Sequence, residues 1–209
     1  MNNKKIFVNT LTFLRVPIII GWLVLAIVFE LHAEPVYLWW VALVLLGISG
    51  LTDAFDGALA RRWNVVSSLG KMADPLMDKV FYVITFPALC WIIAHQGDHT
   101  HAVVMLIFTI LYIVRDLWVT FLRSVGAMFG ANVAARFIGK LRTALSFPAT
   151  GIIYICMALN RTGVQSECAA GLLIACYIVE GALILLNTVS FFTYTAAYAP
   201  YLKKALEKK

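Results

Sequence analysis

The amino-acid sequence predicts an all-α membrane protein that crosses the bilayer six times, with both termini on the cytoplasmic side. Three observations predict it. Of the 209 residues, 62% are hydrophobic and 13% charged, with a mean hydropathy of +0.86, whereas soluble domains carry about 25% charged residues. Apolar windows of the ~20 residues a helix needs to cross hydrocarbon recur at about 8–30, 36–60, 75–95, 102–125, 141–160 and 167–195. Lysine and arginine also alternate from one connection to the next, as membrane topology requires.

The elements follow in order. The first window is preceded by Lys4 and Lys5 and is followed by no small-residue cleavage site, which predicts a retained helix rather than a removed signal peptide. "HAEPVY", "HQGDHTH" and "NRTGVQSE" separate successive pairs of windows and hold few basic residues. The other connections carry Arg61, Arg62 and Lys71, then Arg123, Arg136, Lys140 and Arg142, and the chain ends in Lys203, Lys204, Lys208 and Lys209. The basic connections and both termini are therefore expected in the cytoplasm, and the localisation is a cell inner membrane. Tyr37, Trp39, Trp40 and Trp91 fall at the opposite helix ends, where amphipathic rings anchor at headgroup level. "GAMFGANVAARFIG", residues 126–139, suits a short helix on the cytoplasmic interface.

No repeat, low-complexity tract or linker divides the chain, so residues 1–209 read as one domain. The formal charge of +6 sits in these connections and termini, which points to lipid headgroups and away from nucleic acid. Cys90, Cys156, Cys168 and Cys176 lack metal-ligand spacing and read as small hydrophobes. His32, His95, His99 and His101 fall in extracytoplasmic connections and are expected to be solvated. Glu180, deep in the last window, implies either a dimer contact or a bond to a polar neighbour.

Four aspartates stand apart from this pattern. Asp53 and Asp56 are three apart near the end of the second window, with Gly57 and Ala60 continuing their face. Asp74 and Asp78 are four apart at the start of the third, one turn after Gly70. The short connection makes the two helices antiparallel neighbours, so the four carboxylates can converge. Carboxylates packed so closely repel unless cations sit among them, and all-oxygen ligands suit Mg²⁺, Mn²⁺ or Ca²⁺. Two such ions polarise a phosphoryl group, Arg61 and Arg62 are placed to grip phosphate oxygens, and one carboxylate can take a proton from an attacking hydroxyl. Ion-coupled transport and solvated, ion-paired acids are the alternative readings of the same residues.

Asp53-x-x-Asp56-Gly57-x-x-Ala60-Arg61, followed after eight residues by Gly70-x-x-x-Asp74-x-x-x-Asp78, resembles the signature of the CDP-alcohol phosphotransferases at every position. The resemblance implies a six-helix membrane enzyme, often a homodimer, that transfers a substituted phosphate from a CDP-linked donor to an alcohol and releases CMP. It implies that Asp53, Asp56, Asp74 and Asp78 hold two Mg²⁺ or Mn²⁺ ions against the donor pyrophosphate and that Asp78 is also the general base. It further implies that Gly57 and Ala60 leave room for the nucleotide, that Arg61 contacts its phosphates, and that Gly70 shapes the pocket wall. "NTLTFLRV", "LARRWN", "RDLWVTFLR" and "GKLRT" look like the bacterial phosphatidylglycerophosphate synthases, with Asp116 and Arg142 standing where those usually have Glu and Lys. That likeness implies CDP-diacylglycerol as donor. Asn9 and Arg15 open the first helix as they do in the resembling family, and Arg15 is expected to meet the active site or a lipid phosphate.

The acceptor has a physical signature of its own. Arg115 lies inside the fourth window, where a cation needs a partner. With Arg123, Lys140 and Arg142 it would form a basic pocket beside the acids, suited to an acceptor that carries its own phosphate. Glycerol 3-phosphate is such an acceptor, and inositol phosphate is another.

Overall fold

A computed structural model describes residues 3–32, 37–65, 68–131, 137–162 and 167–207, without the side chains of 53, 54, 57, 61, 68, 69, 71, 72, 74, 75, 140 and 167–169. Among the described residues there are six helices and no strand: α1 Asn3–His32, α2 Tyr37–Arg62, α3 Ser68–His95, α4 His99–Met128, α5 Phe137–Arg161 and α6 Glu167–Glu207. Five helices hold a segment long and apolar enough to cross a membrane, and α2 contributes a shorter apolar stretch, Tyr37–Thr52. The protein is thus an all-α, multi-pass membrane protein. Large apolar side chains such as Val24, Val44, Ile110, Leu117, Ile178 and Phe192 face outward, which is stable only where the surroundings are hydrocarbon.

The bundle packs α1 against α2 and α3, α4 against α3 and α6, and α5 against α6, with α5 also reaching α2 and α3. Its core is aromatic. Tyr82 and Phe86 of α3 meet Phe108 and Tyr112 of α4 with ring centroids 4.9 Å apart in the closest pairs, a spacing at which tilted rings attract beyond their buried area. Trp22 of α1 meets the edge of Tyr154 of α5 at 5.6 Å. Helices α2 and α5 touch at Gly50, where a Cβ would run into the Phe147 ring. Helix α2 ends as its sequence dictates. Asn64 takes φ 51°, tolerated by its short polar side chain, and the Val65 amide turns back to the Ala60 carbonyl at 3.1 Å.

Several expectations are corrected. His101 is fully buried rather than solvated, and its Nε2 lies 2.8 Å from Glu180 Oε1, itself fully buried. The Asp98 carboxylate caps α4 by accepting from the His101 amide at 3.0 Å, so this histidine enters the helix and turns inward. That pairing accounts for Glu180 by joining α4 to α6. Trp39 is not an exposed anchor. It packs with Phe29 and Ala158 and stacks on Trp40 at 3.8 Å, leaving Tyr37, Trp40 and Trp91 as the exposed rings. The ends of the 126–139 stretch belong to α4 and α5, and its middle, 132–136, lies outside the described residues. Helix α6 runs twelve residues past its expected end at 195, because Tyr194 and Tyr198 pack on Val119 and Leu122 of α4.

At the end of the bundle away from the aspartates, buried Glu30 of α1 accepts from Gln96 Nε2 at 2.9 Å and lies 3.3 Å from His95 Nδ1. Gln96 in turn donates to the Met157 carbonyl of α5 at 3.0 Å. This network ties α1, α3 and α5 together and leaves the opposite end to carry the site.

Candidate active site

Asp56 and Asp78 come from different helices and meet on one cation. Arg15 of α1 donates from Nη1 to Asp78 Oδ1 at 3.0 Å and from Nη2 to Asp56 Oδ2 at 3.3 Å. Asp56 Oδ2 also accepts from the Thr12 hydroxyl at 2.9 Å, one turn before Arg15. Arg15 and Asp56 are buried, whereas the Asp78 side chain keeps 39% of its surface exposed. Of these two acids, Asp78 is therefore the one with an open face.

That face borders a cavity of about 570 Å³ between α3, α4, α5 and α6, lined by Asp78, Arg115, Asp116, Arg123, Arg142 and Tyr194 among others. A smaller cavity of about 190 Å³ also borders Asp78, walled by Arg15, Gly50 and Phe147. Three arginines from two helices converge in the larger one. Asp116 Oδ1 accepts from Arg115 Nη1 at 2.9 Å and from Arg142 Nη2 at 2.6 Å. Arg142 lies over the Tyr112 ring at 4.0 Å, and Arg115 and Arg123 lie over Tyr194 at 5.1 and 5.6 Å. Buried guanidinium groups are stable only when paired, and a ring face adds attraction without cancelling charge. The Lys79 ammonium, donating to the Thr120 hydroxyl at 2.6 Å, adds a fourth cation at the rim. The cavity is thus a positively charged chamber, with Asp116 bound to two of its arginines and the more open Asp78 on its wall.

Of the residues singled out by sequence, Asp78, Arg115, Arg123 and Arg142 share this cavity, and Asp56 stands behind Asp78. Ala60 is half-buried near the end of α2, and Gly70 lies in the first turn of α3. The side chains of Asp53, Gly57, Arg61, Asp74 and Lys140 lie outside the described residues. Among the described residues no three His, Cys, Asp or Glu side chains form a metal-holding group. The donor chemistry nonetheless suits a hard cation: Asp56 and Asp78 bring carboxylate oxygens from two helices to one place, with Asp53 and Asp74 one turn away on the same helices.

Sequence reasoning missed Thr12, Lys79, Tyr82, Tyr112, Asn187, Ser190 and Tyr194. A signal existed for the last three. Within "LNTVSFFTY" Asn187, Ser190 and Tyr194 recur at helical spacing, which sets them on one face, whereas Thr188 falls off that face and is exposed.

A family model described as CDP-alcohol phosphatidyltransferase matches residues 5–194. A CDP-diacylglycerol–glycerol-3-phosphate 3-phosphatidyltransferase of Haemophilus influenzae is 32% identical over 143 residues, covering 68% of this chain and 71% of that protein. The protein of the same description from Escherichia coli K12 is 28% identical over 189 residues, covering 90% and 93%. A CMP-forming cardiolipin synthase of Streptomyces coelicolor is 37% identical over 75 residues, which span 35% of that protein's length. With nine-tenths of its length inside the family match and the acid and arginine sites side by side, the chain belongs to the CDP-alcohol phosphatidyltransferase family.

Proposed function

We propose that the protein transfers the phosphatidyl group of CDP-diacylglycerol to glycerol 3-phosphate, forming phosphatidylglycerophosphate and releasing CMP. One observation carries the choice of acceptor: the open carboxylate of Asp78 faces a chamber lined by Arg115, Arg123 and Arg142. A neutral alcohol has no use for that charge, whereas a phosphorylated one is held by it. The relatives from Haemophilus influenzae and Escherichia coli carry the same reaction in their names.

The acyl chains of the donor would remain in the bilayer, with its pyrophosphate at the ends of α2 and α3. Asp53, Asp56, Asp74 and Asp78 would hold Mg²⁺ or Mn²⁺, two ions in all, which when bound neutralise charge on the phosphoryl oxygens. Gly57 and Ala60 would leave room for the nucleotide, Gly70 would shape its wall, and Arg61 would bind its phosphates. Arg115, Arg123, Lys140 and Arg142 would fix the acceptor's phosphate and so aim its hydroxyl at the donor. Asp78 would take the hydroxyl proton as the oxygen attacks the phosphorus bearing diacylglycerol. Holding both substrates in line is most of what phosphoryl transfer asks of a protein. The site faces the cytoplasm of an inner membrane, since the basic connections lie at its end of the bundle, and the working form is a homodimer.

The test is CMP release from purified protein given CDP-diacylglycerol, a divalent cation and one acceptor at a time. Release that requires glycerol 3-phosphate supports the assignment. Release with inositol phosphate alone, or with phosphatidylglycerol as a cardiolipin-forming reaction requires, replaces the acceptor. Ion flux in liposomes without CMP release makes the protein a transporter.

A further inference from the structure

Helix α6 is apolar almost throughout, yet Asn187, Ser190 and Tyr194 are 2%, 0% and 1% exposed. Spaced three and four positions apart, they form one stripe along the helix. Each meets a different arginine of the chamber. Asn187 Oδ1 accepts from Arg142 Nη1 at 3.4 Å, Ser190 Oγ accepts from Arg115 Nη2, and the Tyr194 hydroxyl accepts from Arg123 Nη2 at 3.4 Å. A Cβ at Gly139 would come within 2.9 Å of that hydroxyl, so the α5 backbone closes over Tyr194 from the other side.

The chemistry of the stripe is selective. Arg115 and Arg142 each give one Nη to Asp116 and the other to α6, so both guanidinium planes are fixed at two points. The α6 partners are an amide oxygen and a hydroxyl, which satisfy buried donors without cancelling charge. Apolar residues there would strand the donors, and carboxylates would neutralise the chamber. The Nε atoms of both arginines are buried with no hydrogen-bond partner among the described residues.

We propose that Asn187, Ser190 and Tyr194 are positioning residues that set the acceptor specificity of the enzyme. They hold three guanidinium groups in fixed orientation with their charge intact, and the chamber therefore selects an acceptor bearing a phosphate monoester over an uncharged alcohol. The proposal rests on the reading of the arginine chamber as the acceptor's phosphate site.

The experiment measures apparent KM for glycerol 3-phosphate and for CDP-diacylglycerol, with inhibition by inorganic phosphate, in Ser190→Ala, Ser190→Thr, Asn187→Leu and Tyr194→Phe. Loss of one hydrogen bond to a charged group predicts an acceptor KM raised about tenfold in Ser190→Ala and Asn187→Leu, with the donor KM within about twofold. Inhibition by inorganic phosphate weakens in parallel, and Ser190→Thr, which keeps the hydroxyl, stays near wild type. Tyr194→Phe removes a single oxygen and keeps the ring, so it reports on Arg123 even where the other variants fold poorly. Unchanged acceptor KM in all of these, alongside a raised one in Arg115→Ala, overturns the role of α6 and leaves the chamber assignment standing. Unchanged acceptor KM in Arg115→Ala as well overturns the chamber assignment, and this proposal with it.

Discussion

Arg15 Nη1 lies 3.0 Å from Asp78 Oδ1 while its Nη2 lies 3.3 Å from Asp56 Oδ2, so one buried cation from the first helix holds acids of the second and third. Because the helix carrying Arg15 also packs on both acidic helices, the geometry of the acids depends on α1.

Removing Arg15 takes its cation from the buried Asp56 carboxylate, which keeps the hydrogen bond from Thr12, and truncating one member of a buried pair costs about 3–5 kcal/mol. Arg15→Ala is therefore expected to lower thermal stability in detergent by several degrees and to lose activity. Arg15→Lys keeps the charge and should recover part of the stability. Equal stability of Arg15→Ala and wild type would show that the acids do not depend on α1.

Asp78 has an open face toward the chamber, and a positioned general base contributes about 10²–10⁴-fold to rate. Asp78→Asn should lose turnover on that scale, with binding of CDP, measured by calorimetry in the presence of the metal, largely retained. Turnover within twofold of wild type would remove Asp78 from that role.

His101 and Glu180 form a pair buried at both ends, 2.8 Å apart between α4 and α6, and neither lines the chamber. Glu180→Ala is expected to cost about 3–5 kcal/mol of stability by stranding its partner, while the KM values of the remaining folded enzyme stay near wild type. His101→Leu combined with Glu180→Met removes both polar groups and should cost less than either single change. A double variant as unstable as the sum of the singles would contradict the pairing.

Divalent-cation removal gives a separate test of the acid cluster. Chelation should abolish CMP release, and Mg²⁺ or Mn²⁺ should restore it. Full activity under chelation would mean that the aspartates act through Arg15 and one another without a metal ion.

Much of this was legible in the chain, for reasons that differ by residue. The helices were, because an uninterrupted apolar run has no other stable form in a bilayer. That Asp56 and Asp78 come to one place was, because each lies toward the end of its helix nearest the short connection between α2 and α3. Arg115 was, since a cation inside a span demands a partner, and it has Asp116 and Ser190, whereas Arg123 and Arg142 were legible only as basic residues flanking the connection between α4 and α5. What escaped depends on contacts between distant positions. His101 and Glu180 are 79 residues apart, and nothing near His101 announces that the N-terminal turn of α4 faces inward. The extension of α6 comes from Tyr194 and Tyr198 packing on α4. Trp39 and its neighbour Trp40 have the same composition and opposite exposure, a difference that only the packing of α1 and α5 decides.

The most direct measurement follows radiolabelled glycerol 3-phosphate in proteoliposomes containing CDP-diacylglycerol. In the wild type label should enter the lipid fraction one-for-one with released CMP, and in Asp78→Asn it should enter at about a hundredth of that rate or less, on the order of a general base's contribution. CMP released without label in lipid, or label incorporated by Asp78→Asn at the wild-type rate, would contradict the proposed mechanism.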